Sequence, residues 1–269
     1  MDVLTCIKRV PDTGAKIVLT EDNQRVDASN LGHTMSPHEE CAIEEAVQQV
    51  EEHGGSVTVM TLGPDEASEQ LRTGLAMQAT EATLLETDGE EWSARATADA
   101  IANAVREASN GDGELGDDGE SDGTVGYDLL LFGNESADAA NYQVGVRVAT
   151  ALGLPCVTGI KDLTVEDGRA IAKREIAGGV EVYEVDLPAV VTVKEGINEP
   201  RYASMRAKMQ ARRQEVGRLE PTAPERAGTL ETIRLEAPAE DDAEAEVLGE
   251  GPEAVPNVIR VLEEDVEVL

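Results

Sequence analysis

YDLLLFGNESADAANYQVG, residues 127–145, opens with an unbroken apolar run, Leu129 to Phe132, and then turns abruptly polar. So short and uniformly apolar a run is a strand covered on both faces, and Val144, Val148 and Leu152 beyond the polar loop fall at helical spacing. The same alternation extends upstream. Ser93 caps a helix carrying Ala96, Ala100, Ile101, Ala104 and Val105, a short strand spans 82–85, a helix spans 64–77, and SVTVMTLG, 56–63, is another buried strand. Before these, Val3 to Ile7 reads as a first strand and KIVLT with QRV, within 16–26, as a small hairpin. A helix opens at Pro37 behind Ser36 and carries Ala42, Ile43, Ala46, Val47 and Val50 until Gly54 and Gly55. Strands alternating with helices predict an α/β fold, a doubly wound and mostly parallel sheet with right-handed crossovers, and place ligands at the carboxyl ends of its strands.

Two segments interrupt this pattern. Residues 109–126, SNGDGELGDDGESDGTVG, are nearly devoid of apolar groups and form an acidic loop insertion that cannot offset the entropy of ordering. After Pro155 the period becomes two, through DLTVEDGRAIAKREIAGGVEVYEVDLPAVVTVK. This predicts consecutive antiparallel strands, turning at 166–168 and at Gly178 and Gly179, that extend the sheet at one edge. The domains expected are an α/β domain over 1–198, a loop and helix over 199–218, and an extended arm over 219–269 that needs another surface to lie on.

With 269 residues, 41% of them apolar, the chain can bury one substantial core. Its formal net charge of -33 and its six Lys against sixteen Arg suit a cytoplasm of very high ionic strength, where screening removes self-repulsion, the alternative being a merely acidic surface that low salt would not destabilise. The same charge argues against nucleic acid as a partner. Cys6, Cys41 and Cys156 stand singly, with no CxxC pair, and read as core residues rather than metal ligands or disulfides. No apolar stretch approaches the roughly 20 residues that cross a bilayer, so a cytoplasmic location is expected.

No Ser-His-Asp arrangement and no GxGxxG after a strand is present, and His33, His38 and His53 share no ligand spacing. No catalytic side chain and no metal site is therefore expected. The loop 133–145 is either an ordinary polar connection or a phosphate site. Gly133 permits close approach, while Asn134, Ser136, Asn141 and Gln143 offer hydrogen bonds beside a helix start whose free N–H groups favour anions. TMSPHEE, 34–40, also opens a helix and is either an ordinary capped start or a site where Ser36 with the backbone of Pro37, His38 and Glu39 closes over a base. EPRYASMRAKMQARRQEVGR, 199–218, gathers Arg201, Arg206, Lys208, Arg212, Arg213 and Arg218, with Met205 and Met209 at i and i+4. This is a docking stripe for acidic partners or an amphipathic helix with its methionines turned inward.

Taken together, CIKRVPDT, NLGHTMSPHEECAIEEAV, LGPDEASEQLRTGLAMQA, the Gly133 loop and KREIAGGVEVYEVDLPAVVTVKEGINEPRYASM resemble the electron-transfer flavoprotein beta subunit, from residue 6 to about residue 213. The resemblance implies a Rossmann-like domain of adenine-nucleotide-binding type, paired as a heterodimer with an alpha subunit that holds most of the redox-active FAD. It implies electron transfer from acyl-CoA or other dehydrogenases to a membrane quinone oxidoreductase, by a carrier rather than a catalyst with its own substrate. It further implies a structural AMP bound through Cys6, Ser36, Pro37, His38, Glu39, Leu62 and the loop Gly133, Asn134, Glu135, Ser136, Ala137, Asp138, Ala139, Ala140, Asn141, Tyr142, Gln143 and Val144. Partner recognition maps to Arg201, Tyr202, Met205, Arg206 and Met209, with Met205 as anchor.

Some relatives carry a second FAD in place of AMP and bifurcate electrons from NADH. They show an Asp-Gly-Asp-Thr run where this chain has Asp138, Ala139, Ala140 and Asn141; since AMP-type relatives often have consecutive acids there too, the difference leaves AMP and a second FAD both open and leans toward AMP. Thr13 replaces an aromatic that lies near the flavin in some relatives. A stand-alone ATP- or AMP-binding stress-type protein is the remaining alternative, though the glycine-rich phosphate motif of such proteins is missing.

Overall fold

The computed structural model describes residues 1–12, 14–110, 125–222, 232–237 and 246–268. Most of the acidic insertion, Thr13 and part of the arm lie outside them. Two compact units divide the chain, Met1–Val18 with Val26–Glu231 and Leu19–Arg25 with Thr232–Leu269.

In the larger unit the strands are β1 (Asp2–Cys6), β2 (Val10–Pro11), β3 (His33–Thr34), β4 (Ser56–Gly63), β5 (Glu81–Glu86), β6 (Leu129–Gly133), β7 (Cys156–Ile160), β8 (Asp162–Glu166), β9 (Arg169–Ile176), β10 (Gly179–Asp186), β11 (Ala189–Val193) and β12 (Gly217–Leu219). Its helices are α1 (Pro37–His53), α2 (Ser68–Ala76), α3 (Ala94–Asn110), α4 (Val144–Leu152) and α5 (Met205–Ala211). Seven strands form one sheet in the order β12-β5-β4-β1-β6-β11-β7, and every pairing in it is parallel. Alternate residues of each strand face opposite layers. Val3, Val57, Val59, Leu129, Leu131 and Val191 meet α1 and α2, whereas Leu4, Cys6, Met60, Leu130, Phe132 and Val190 meet α3 and α4. Each such side chain contributes about 1.5–3 kcal/mol by leaving water, so the doubly wound sheet follows from strands apolar on both faces.

The antiparallel strands depart from expectation in where they go. β8, β9 and β10 form a separate sheet of three, and they do not extend the main one. The AVVTV run becomes β11, an inner strand parallel to β6 and β7, because all five of its residues are buried and it needs helices over both faces. Asp167 and Gly168, both at positive φ, close the β8–β9 hairpin in the turn expected there, and Gly178 (φ +89) turns β9 into β10. Cys156 is only half-buried, whereas Cys6 and Cys41 are core residues as expected.

In the smaller unit, the amide of Thr20 bonds the carbonyl of Arg25 at 2.9 Å, and that of Leu235 bonds the carbonyl of Asn23 at 2.7 Å. A helical segment, α6 (Val255–Arg260), continues into a wider π turn, Val261–Asp265.

Candidate functional site

The connection from β5 through α3 to β6 passes back over β1, so the winding reverses between β1 and β6. Open α/β sheets receive ligands outside the carboxyl ends of the strands at this switch. Cys6 ends β1, Leu62 and Gly63 end β4, and Gly133 ends β6, all at that edge. The Cys6 thiol points into the α3 and α4 layer and is buried, which pushes it far above its usual range, so only its main chain borders the edge.

Glu39 ties the edge together. In the first turn of α1 its carboxyl accepts the backbone N–H of Ser36 (2.9 Å), as the far half of a capping box, and the N–H of Lys8 just beyond β1 (2.8 Å). Gly133 packs against it so closely that an added Cβ would lie 2.7 Å from Glu39 Cγ and 3.3 Å from His38 Cβ. Burial pushes the Glu39 carboxyl up to about 8, against the pull of both amides and the Lys8 charge. The Lys8 ammonium reaches Asp138 at 2.6 Å, and Ser36 Oγ donates to the carbonyl of Glu135 at 3.2 Å. Burial raises the Asp138 carboxyl, but hydrogen bonds from Lys8 and Ser136 outweigh it and hold the group below its ordinary range. The residues from Ser36 to Glu39 and the 133–144 loop are thus brought together, joined directly by Ser36 Oγ on the Glu135 carbonyl and by His38 Nε2 3.5 Å from the Glu135 carboxylate.

The loop itself keeps donors free. Asn134 Oδ1 accepts from Thr192 Oγ1 (2.8 Å), and Gln143 Oε1 accepts from both Nε (3.0 Å) and Nη2 (2.9 Å) of Arg147. With both carbonyls occupied, each amide NH2 keeps its two donors without a partner among the described residues. The N-cap Gln143 makes no side-chain cap on α4, and no acidic residue stands in the first turn of α4, so the N–H groups of Val144, Gly145 and Val146 carry the positive end of that helix uncompensated. Ala140 and Tyr142 adopt positive φ, 45° and 55°, and the Tyr142 hydroxyl bonds the Glu135 carboxylate. Ala137, Ala139 and Asn141 are exposed. A cleft of about 290 Å³ lies beside the start of α1, but Glu40, Glu195 and Glu199 line it, which disfavours an anion there.

The 199–218 segment leaves β11, passes α1 and α2, and ends as the far edge strand β12. Tyr202 (88% exposed), Met205 (73%) and Met209 (56%) stand in solvent, so the methionines are not turned inward. Lys208 lies 5.0 Å from the centre of the Tyr202 ring. Arg206 is exposed, but Arg201 is not a free cation, since it pairs with Glu44 and Glu51.

Sequence reasoning missed Lys8, Thr192 and Arg147, which hold the loop. Their partners Asp138 and Asn134 lie 130 and 58 positions away from Lys8 and Thr192, leaving no local signal; only the i,i+4 spacing of Gln143 and Arg147 was legible. No cluster of three or more metal-ligating side chains occurs among the described residues. No helix among them is long and apolar enough to cross a membrane.

Fold and edge together define a doubly wound α/β protein with an open, donor-rich helix start at its switch point. The electron transfer flavoprotein domain model matches residues 25–224. The chain is 30% identical over its whole length to the whole of the electron transfer flavoprotein subunit beta of Bacillus subtilis, and 36% identical over 80% of its length to 77% of the subunit of that name from Mycobacterium leprae. It is also 33% identical, over 80% of its length and 77% of the relative, to the caffeyl-CoA reductase-Etf complex subunit CarD of Acetobacterium woodii. The chain belongs to the electron transfer flavoprotein family, among its beta subunits.

Proposed function

We propose that the chain pairs with an electron-transfer flavoprotein alpha subunit, binds AMP at the β6–α4 edge and helps enclose the FAD held mainly by that partner. In this reading it carries electrons from acyl-CoA or other dehydrogenases to a membrane quinone oxidoreductase, in the cytoplasm of a salt-rich cell. The observation that carries it is the uncapped start of α4 beside the unpartnered NH2 groups of Asn134 and Gln143. A phosphate dianion fits such a donor set, with main-chain N–H groups for its oxygens and side-chain amides for phosphate or ribose. The flavin supplies the redox chemistry when bound. This chain contributes the walls of the site, orientation of the nucleotide and a docking surface.

The test is to co-express the chain with its alpha subunit, release bound nucleotides by heat and identify them by chromatography. One AMP and one FAD per heterodimer is the expected result, and absence of any adenylate from the β6–α4 edge overturns it. A second reading, an NADH-oxidising bifurcating subunit with a second FAD, draws on the likeness to the reductase-complex subunit. Two FAD with no AMP, and flavin reduced directly by NADH, favour that reading. Family membership leaves the stress-type alternative without support.

A further inference from the structure

Helix α5 has seven residues, too few for a helix to persist in water unaided. It nevertheless presents Met205 and Met209 outward, which requires that something else hold it. Part of the hold is apolar, through the buried Ala203 and Ala211. Ser204 Oγ caps the helix by accepting the Ala207 N–H (3.2 Å), and the remaining polar hold centres on two arginine staples. At the start of the segment, Arg201 bonds Glu44 through its backbone N–H (3.0 Å), Nε (2.8 Å) and Nη2 (3.1 Å), and bonds Glu51 through Nη1 (2.7 Å) and Nη2 (3.0 Å). Asn198 adds Nδ2 bonds to the carbonyl of Cys41 (3.1 Å) and to Glu45 Oε2 (3.0 Å). At its end, Arg72 of α2 donates from Nη1 to the carbonyls of Ala211 (3.0 Å) and Gln214 (3.2 Å), the negative end of α5.

We propose that Arg72 and Arg201 are positioning residues that hold the 201–214 segment in its docking-ready form, so that partner binding does not have to order it. The proposal rests on the docking role assigned above. Screening separates the staples from the exposed cations Arg206, Lys208, Arg212 and Arg213. Molar salt removes most of the long-range pull of exposed charges, whereas Glu44, 5% exposed, keeps its pairing with Arg201 in a drier setting. In a salt-rich cytoplasm, affinity then depends on the pre-ordered apolar anchors more than on charge steering. If a variant leaves the segment ordered about a tenth of the time, the apparent Kd for the partner rises about tenfold.

The experiment uses the co-purified heterodimer in molar KCl, carrying Arg72→Gln, Arg72→Lys, Arg201→Gln, Arg201→Lys or Met205→Glu. Amide hydrogen exchange over residues 205–214 reads the order of the segment directly, and flavin reduction by an acyl-CoA dehydrogenase charged with its acyl-CoA reads docking. Both Gln variants should lose protection in this segment and raise KM about tenfold at little cost in kcat, with bound flavin unchanged. Lys at 72 should restore much of the protection, because a point charge still serves a helix end, whereas Lys at 201 should not, because it cannot fork between two carboxylates. Unchanged protection in both Gln variants refutes the staples. Unchanged reduction in Met205→Glu refutes instead the docking role, which leaves the exchange result to judge the staples alone.

Discussion

Gly133→Ala separates two reasons for a glycine at the end of β6. If the residue exists to let a ligand approach, an added methyl affects nucleotide binding alone. The geometry assigns it another partner, because the new Cβ would sit 2.7 Å from Glu39 Cγ and 3.2 Å from the Glu39 backbone nitrogen. Glu39 cannot easily retreat, since its carboxyl is held by the amides of Lys8 and Ser36. Overpacking of this kind costs about 1–3 kcal/mol, and loosening one hydrogen bond to the protonated carboxyl adds about 0.5–1.5. The sum, roughly 1.5–4.5 kcal/mol, corresponds to a fall of roughly 10 °C in Tm for a chain of this size. Urea unfolding at constant molar KCl, with and without added AMP, measures it. Glu39→Ala should relieve the clash, so the double variant should cost clearly less than the two single variants together. The reasoning fails if Gly133→Ala stays within about 1 kcal/mol of wild type without nucleotide and loses only AMP binding.

Three further outcomes follow from the same geometry. Glu39, raised to about 8 in the folded chain by burial, keeps its proton where the unfolded chain has released it, so its contribution to stability is lost as pH rises from about 4.5 to about 8. Wild type should therefore lose stability relative to Glu39→Gln across that window, and a pH-independent difference between the two would contradict the assignment. Thr192→Val removes the donor to Asn134 and strips the buried Gly159 N–H of its acceptor, held at 2.8 Å, so it should cost about 1–3 kcal/mol and weaken AMP retention when bound nucleotide is quantified. Dilution from molar to 0.05 M KCl, a range spanning roughly 3 to 14 Å in screening length, should destabilise a chain of net charge -33; an unchanged melting curve would refute the salt-rich assignment.

The parallel core was legible because its strands carry apolar residues on both faces, and α1 because Ser36, Pro37 and Glu39 mark a helix start. The hairpins of β8 to β10 were legible from Asp167-Gly168 and Gly178. What periodicity could not convey was partnership. AVVTV is equally compatible with an edge or an inner strand until the layers above and below it are known, and here helices cover both faces. The site followed the same division. The loop and the Met205 and Met209 pair were visible as local chemistry, though not that the pair faces solvent, whereas the Lys8 to Asp138 pair and the Arg72 staple join residues 130 and 139 positions apart.

One consequence concerns the order of synthesis. β12, the outermost strand on one side, is made long after its neighbour β5, with residues 87–216 emerging in between. Throughout that interval a growing chain carries an open β5 flank, whose unpaired main chain is a template for any extended segment nearby. Only when Gly217 to Leu219 leave the ribosome is the rim sealed.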